Sequence, residues 1–347
     1  MIVKKRGKDK KIIFILGGFF IALILVGGYF LFFSKTIEGV YLCGDETSFG
    51  ECSLSKPYYC YEGILVPNAE ECGCPDILDK ALETCSSDHF TDGIFINLKY
   101  FIDGEEGKMM FVAYKGVVDY LFEIPREISY EDGQAPNRKD FKLKKIDDEL
   151  QRQALMPLVV QIQNLAPGSK EKQAQIAISL VQNIPYGEPE FVSVFGGKYK
   201  IRAARYPYQT LYENTGSCEC KSELLTFLLR EIGYGVGMFY YQQENHEAVG
   251  VKCPFEEGLG GSGYCFVETT FPSPISYSGG EYLSGLSSYF LSSFPEFVLI
   301  QEGVSLGEDL EDYEDANFLN KVGNLGKINY FQKTKLKKIK KKYGMIY

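Results

Sequence analysis

The chain reads as an α+β protein: a buried helix packed on an antiparallel sheet, preceded by a small disulfide-rich module and an N-terminal transmembrane helix. Three observations carry that expectation. Residues 12–33 (IIFILGGFFIALILVGGYFLFF) are an uncharged apolar run of 22 residues, and six of the ten cysteines crowd between Cys43 and Cys85. One broad apolar helical stripe, Leu224 to Ile232, is followed by three strand-like runs, the order of a helix and an antiparallel meander.

Residues 1–11 carry six Lys/Arg against one Asp and form a cytoplasmic basic tail by the positive-inside bias. At ~1.5 Å per residue, 12–33 covers the ~30 Å hydrocarbon core. The run ends in aromatics, Ser34 and Lys35, without a small-residue cleavage site, so it is expected to stay as a single-pass anchor with everything beyond it extracytoplasmic. Cysteine usage points the same way. All ten lie beyond the anchor, on the oxidising side. Cys43, Cys52, Cys60, Cys72, Cys74 and Cys85 fall in a segment with little continuous apolar sequence, which predicts a module at 43–85 stapled by three disulfides in any of ~15 connectivities. Zinc at Cys72-Gly73-Cys74-Pro75 is the competing reading.

With the two basic ends set aside, residues 12–332 hold 24 basic against 45 acidic side chains, a charge of −21. Such a body repels a phosphate backbone and excludes a nucleic-acid partner. A domain at 93–332 follows the module. Gly93 to Pro125 alternates β-branched and aromatic runs with turn residues and predicts three strands (GIFINLKYF, KMMFVAYKG, VVDYLFEI). A helix is expected over 140–165, and a second begins at a Ser169 cap with Ala174, Ala177, Ile178 and Val181 on one face. The stripe helix ends at Gly233, and the strand-like runs are 235–241, 246–252 and 264–270. Segment 303–317 is acidic and reads as solvated surface. The basic tail 333–347 lacks an apolar face, so a disordered tail is the default; contact with anionic lipid, wall polymer or the acidic body is the alternative.

Candidate chemistry sits on the helix and meander. Cys218 lies at the helix start after Gly216-Ser217, where unpaired N–H groups and the positive end of the macrodipole favour a thiolate. His246, one of only two histidines, the other being His89, opens the second strand, and Glu268 closes the third. Both are even-numbered, so one sheet face can carry both side chains: a nucleophile, a base and an orienting carboxylate. Cys218 and Cys220 are too close for an easy bond, leaving Cys253 and Cys265 as a further disulfide candidate. Facing His246 squarely to Glu268, however, would set Cys253 against Gly261, and that bridge then needs a bulge.

These residues resemble the transglutaminase-like superfamily. The stretch Arg205 to Ser222 (RYPYQTLYENTGSCECKS), the Leu-rich helix with GYGV, then ENHEAVGVKCP and YCFVETTFP, are similar to its separated motifs over a core at 173–274. The resemblance implies a papain-like core with Cys218 as nucleophile, His246 as base and Glu268 where the family usually has Asp. It also implies an oxyanion hole from the Cys218 N–H with the Gln209 side chain. Glu247 follows His246 where an aromatic is common, and Cys220 stands where an acidic residue is common. No metal or cofactor is expected, and the calcium loop of some relatives has no counterpart. The implied function is a membrane-anchored, extracytoplasmic thiol enzyme. It would act on amide bonds of envelope proteins or peptides through a thioester, by hydrolysis or acyl transfer. The rival is an inactive binding or adhesion module of the same fold.

Overall fold

Cysteine pairs organise the first stretch of the structure, a computed structural model that describes residues 42–131, 133–188, 190–278, 281–284, 287–323, 325 and 327–345. The expected basic tail 1–11 and membrane span 12–33 lie outside the described residues. Among the described residues no helix is long and apolar enough to cross a membrane. In chain order β1 (Tyr58–Tyr61) pairs with β2 (Ile64–Pro67), a single helical turn α1 (Ala69–Cys72) follows, and β3 (Asp79–Ala81) pairs with β4 (Thr84–Ser86). Disulfides Cys43–Cys60, Cys52–Cys72 and Cys74–Cys85 hold these pieces together. Cys72 and Cys74 enter different disulfides, so the zinc reading gives way.

The next hairpin, β5 (Gly93–Ile102) with β6 (Glu105–Tyr114), buries alternate residues such as Ile96, Leu98 and Tyr100. The third expected strand is instead helix α2 (Lys115–Glu123). Its apolar Val117, Val118 and Leu121 share one helical face and are buried there, a spacing that overrides the β-branched pair. The helix expected over 140–165 is two, α3 (Arg138–Ile146) and α4 (Glu149–Leu165). Asp148 divides them by capping α4, its side chain accepting the Gln151 N–H at 2.8 Å. The disulfide-rich stretch rests on α4: Cys43, Tyr58, Cys60 and Leu65 form a small core with Val160, and Asn164 bonds both backbone groups of Leu65. Helix α5 (Lys170–Gln182) starts at the Ser169 cap.

Hairpin β7 (Glu190–Val194) and β8 (Tyr199–Ala203), then the short α6 (Pro207–Tyr212), lead to α7 (Cys218–Ile232), the buried helix. Leu224, Leu225, Phe227, Leu228 and Leu229 of α7 are wholly buried, and Gly233 closes it at φ 109°. Strands β9 (Val236–Tyr241), β10 (His246–Lys252) and β11 (Tyr264–Val267) follow, then hairpin β12 (Glu281–Ser284) and β13 (Ser287–Phe290), then β14 (Glu296–Gln301). The sheet is antiparallel in the order β11-β10-β9-β14, with β14 a fourth strand beyond the expected meander. Val236, Met238, Val249, Val251 and Val267 face the main core with α7, while Phe239, Tyr241, Ala248 and Phe266 form a second cluster on the opposite face.

Register differs from the squarely opposed pairing by two residues. Val251 faces Cys265 and the Cys253 N–H bonds Gly263 O, so Cys253 and Cys265 are diagonal neighbours and bridge without a bulge. A two-residue shift keeps every side chain on its face, so the even-numbered set survives it.

The C-terminal region also differs. Residues 330–342 form α9 (Tyr330–Lys342) after α8 (Glu311–Gly323), not a disordered tail. Ile339 supplies a buried anchor, an Asn329–Gln332 capping box starts the helix, and Lys342 bonds Glu311 and Asp315 at 2.8 Å each. The acidic segment is not all solvated either: Asp312 is buried, accepting from Ile275 N–H and the Gln175 amide.

Candidate active site

Backbone packing places Cys218. Gly216 lies where a Cβ would come within 2.9 Å of Thr210 and 3.0 Å of Cys220, and its N–H and C=O bond Pro185 O and Gly187 N–H. The turn before α7 is thereby fixed against the end of α5, and Cys218 emerges partly exposed as the first helical residue. Its side chain faces a cavity of about 330 Å³ whose wall also includes Glu219, Tyr186, Tyr240, His246 and Tyr282. The first N–H groups of a helix have no intrahelical acceptor, which makes this end an anion-attracting one.

His246 opens β10 and is fully buried beneath the Tyr282 ring, 4.2 Å between centroids. Its Nε2 lies 2.9 Å from Glu268 Oε2. Glu268 Oε1 accepts the N–H groups of Thr269 and Thr270 and the Thr270 hydroxyl at 2.7–3.0 Å. In the observed register Glu268 falls beside Ala248, one step from His246, and the longer glutamate arm spans that diagonal. Burial alone would lower the His246 pKa, but the Glu268 charge and the interactions with Cys218 and Glu268 outweigh it and push it up to about 10. Burial alone would raise Glu268; the His246 ring and the Thr270 donors hold it below the ordinary carboxylate range. The pair is thus imidazolium with carboxylate at neutral pH. With Nε2 taken, the interaction with Cys218 falls to Nδ1, which closes no regular hydrogen bond, so the thiol contact is a loose one.

Other residues are placed as follows. Cys220 is wholly buried on the far side of the helix, its sulfur accepting the Arg205 N–H at 3.2 Å and lying 3.2 Å from Ser217 Oγ. Cys218 and Cys220 are both free thiols. Gln209, the other oxyanion candidate, does not line the cavity; its Oε1 accepts the Tyr206 N–H at 2.8 Å as a cap of α6. His89 meets the Tyr120 ring at a tilt, 5.0 Å between centroids, away from Cys218.

Two groups went unread in the sequence. Lys221 is wholly buried one turn along from Cys218, donating to Gln182 O and Ile184 O, and burial pushes it down to about 7 against the charges of Glu268 and Cys218. Lys142 of α3, also buried, donates to Glu219 (2.8 Å), Glu223 (2.9 Å) and Glu247 (2.8 Å). Burial opposes the Lys142 charge, yet the three carboxylates raise it well above the usual lysine range. The one available signal was Glu219 and Glu223 at i, i+4 near the start of a helix with a broad apolar stripe, a like-charged pair that calls for a cation.

No protein-family model matches the chain, and no curated protein matches it.

Proposed function

We propose that the chain is a transglutaminase-like thiol enzyme with a papain-like core, anchored by residues 12–33, acting outside the cytoplasm on amide bonds of envelope proteins or peptides. The observation that carries this reading is the Cys218 thiol at the start of a buried helix, sharing a cavity with an imidazole whose far nitrogen is held by a buried carboxylate. In the reading, Cys218 attacks the carbonyl carbon as thiolate and the Cys218 N–H receives the developing oxyanion. The His246 imidazolium gives its Nδ1 proton to the leaving amine as the thioester forms. Neutral imidazole then takes a proton from water, or from an incoming amine, as the thioester is released. Glu268 holds the ring in place throughout and stabilises its charged form.

The test is incubation of the full chain with envelope peptides, with and without a primary amine, followed by mass spectrometry. Cleavage, deamidation or amine incorporation that disappears in Cys218→Ala supports the reading. Peptide binding without any covalent change, equal in wild type and Cys218→Ala, would replace it with the binding-module reading.

A further inference from the structure

Glu219 directly follows Cys218, and Glu247 directly follows His246. Their carboxylates meet at one ammonium, Lys142 Nζ, at 2.8 Å each, with Glu223 as the third acceptor at 2.9 Å. An ammonium has three N–H donors, and here each has its own carboxylate. Two of those acceptors sit on α7 and one on β10, so the contact joins the nucleophile's helix to the base's strand through a third element. Helix α3 is built for it. Arg138, Lys142 and Lys145, at i, i+4 and i+7, share one face. Arg138 lies 3.7 Å from Glu247 and 3.6 Å over the Tyr240 ring, and Lys145 pairs with Glu223.

We propose that Lys142 is a positioning residue: a buried ammonium that fastens the first turn of α7 to the first residues of β10 and so sets the Cys218 thiol against the His246 ring. This rests on the reading of Cys218 and His246 as a working pair. The loose thiol contact at Nδ1 makes that spacing sensitive, because among the described residues no regular hydrogen bond closes at Nδ1 to fix it. Removing the cation leaves Glu219 and Glu247 facing each other, and like charges part.

The experiment follows iodoacetamide alkylation of Cys218 in the full chain by peptide mass spectrometry across pH. Lys142→Met is expected to slow it about tenfold near neutral pH, as a misplaced reacting group does. Lys142→Met/Glu247→Gln removes the excess charge and is expected to regain stability while staying slow, which keeps the test usable if the single variant folds poorly. Arg152→Met on α4 breaks the 2.9 Å pair with Glu231 at the far end of α7 and is expected to destabilise without changing the rate. A wild-type rate in both Lys142 variants, or equal slowing in Arg152→Met, would overturn the proposal. His246→Ala separates the two failures: slow alkylation there with wild-type rates in the Lys142 variants sinks only the positioning role, whereas a wild-type rate in His246→Ala sinks the thiol–imidazole pair and the positioning role with it.

Discussion

Two thiols a single residue apart occupy opposite environments: Cys218 opens onto the cavity, and Cys220 is buried against the Arg205 backbone. Cys218→Ala removes one partly exposed sulfur, so it is expected to keep the wild-type melting temperature while losing all covalent labelling at the site. Cys220→Ala removes the sulfur that accepts the buried Arg205 N–H and leaves a small cavity, and is expected to cost about 1–3 kcal/mol in denaturant unfolding while leaving Cys218 reactive. Retained labelling in Cys218→Ala would move the nucleophile to Cys220. The His246–Glu268 pair makes a prediction with a sign. His246 is raised from 6.5 to about 10, so its contribution to stability is complete below about pH 6.5 and lost as pH rises through about 10. Glu268 is lowered from 4.5, so its contribution is present above about pH 4.5 and lost as pH falls through the depressed value. The stability gap between wild type and Glu268→Gln is therefore expected to be widest near pH 5–6, on the order of 3 kcal/mol, and to close toward pH 10. Thermal melts across that range measure it, and a gap that widens with pH contradicts the charged pair.

Among the elements, α9 shows how a lysine-rich segment stays folded on an acidic body. Lys342 donates to Glu311 and Asp315 of α8, and Ile339 is buried. Lys342→Met is expected to speed amide hydrogen exchange across 330–342 several-fold, matching about 1 kcal/mol for a partly exposed pair, with little change in α7. Unchanged exchange would assign the helix to its cap and Ile339 alone. This helix was hard to read because its single buried apolar residue gives no periodicity, and its stabilising partners lie twenty and more residues upstream. By contrast α7 declared itself, since Leu224 to Ile232 supply a full apolar stripe with a glycine stop. Residues 117–121 misled because two adjacent valines look like strand until the leucine three further on is counted. At the site, Cys218, His246 and Glu268 were legible from position and parity. Lys142 was not, since its ligands come from α7 and β10 and only tertiary packing joins them.

At the scale of the whole molecule, four disulfides and two free thiols account for all ten cysteines. Alkylation without reduction is expected to label the peptide holding Cys218 and Cys220 and no other; labelling of Cys253 or Cys265 instead would break the assignment. If residues 12–33 anchor the chain as proposed, external protease on intact cells removes the body and leaves a short stub, and full protection of the body would reverse the topology. The bridges have one further consequence. Each closes a loop of 11 to 20 residues, and Cys218 and Cys220 come after the first three pairs and before the fourth. If the chain is oxidised as it emerges N-terminus first into the proposed extracytoplasmic compartment, Cys43 to Cys85 pair among themselves before Cys218 and Cys220 appear. Order of appearance would then keep the two thiols from mispairing with the first six cysteines before any folded wall exists to do so.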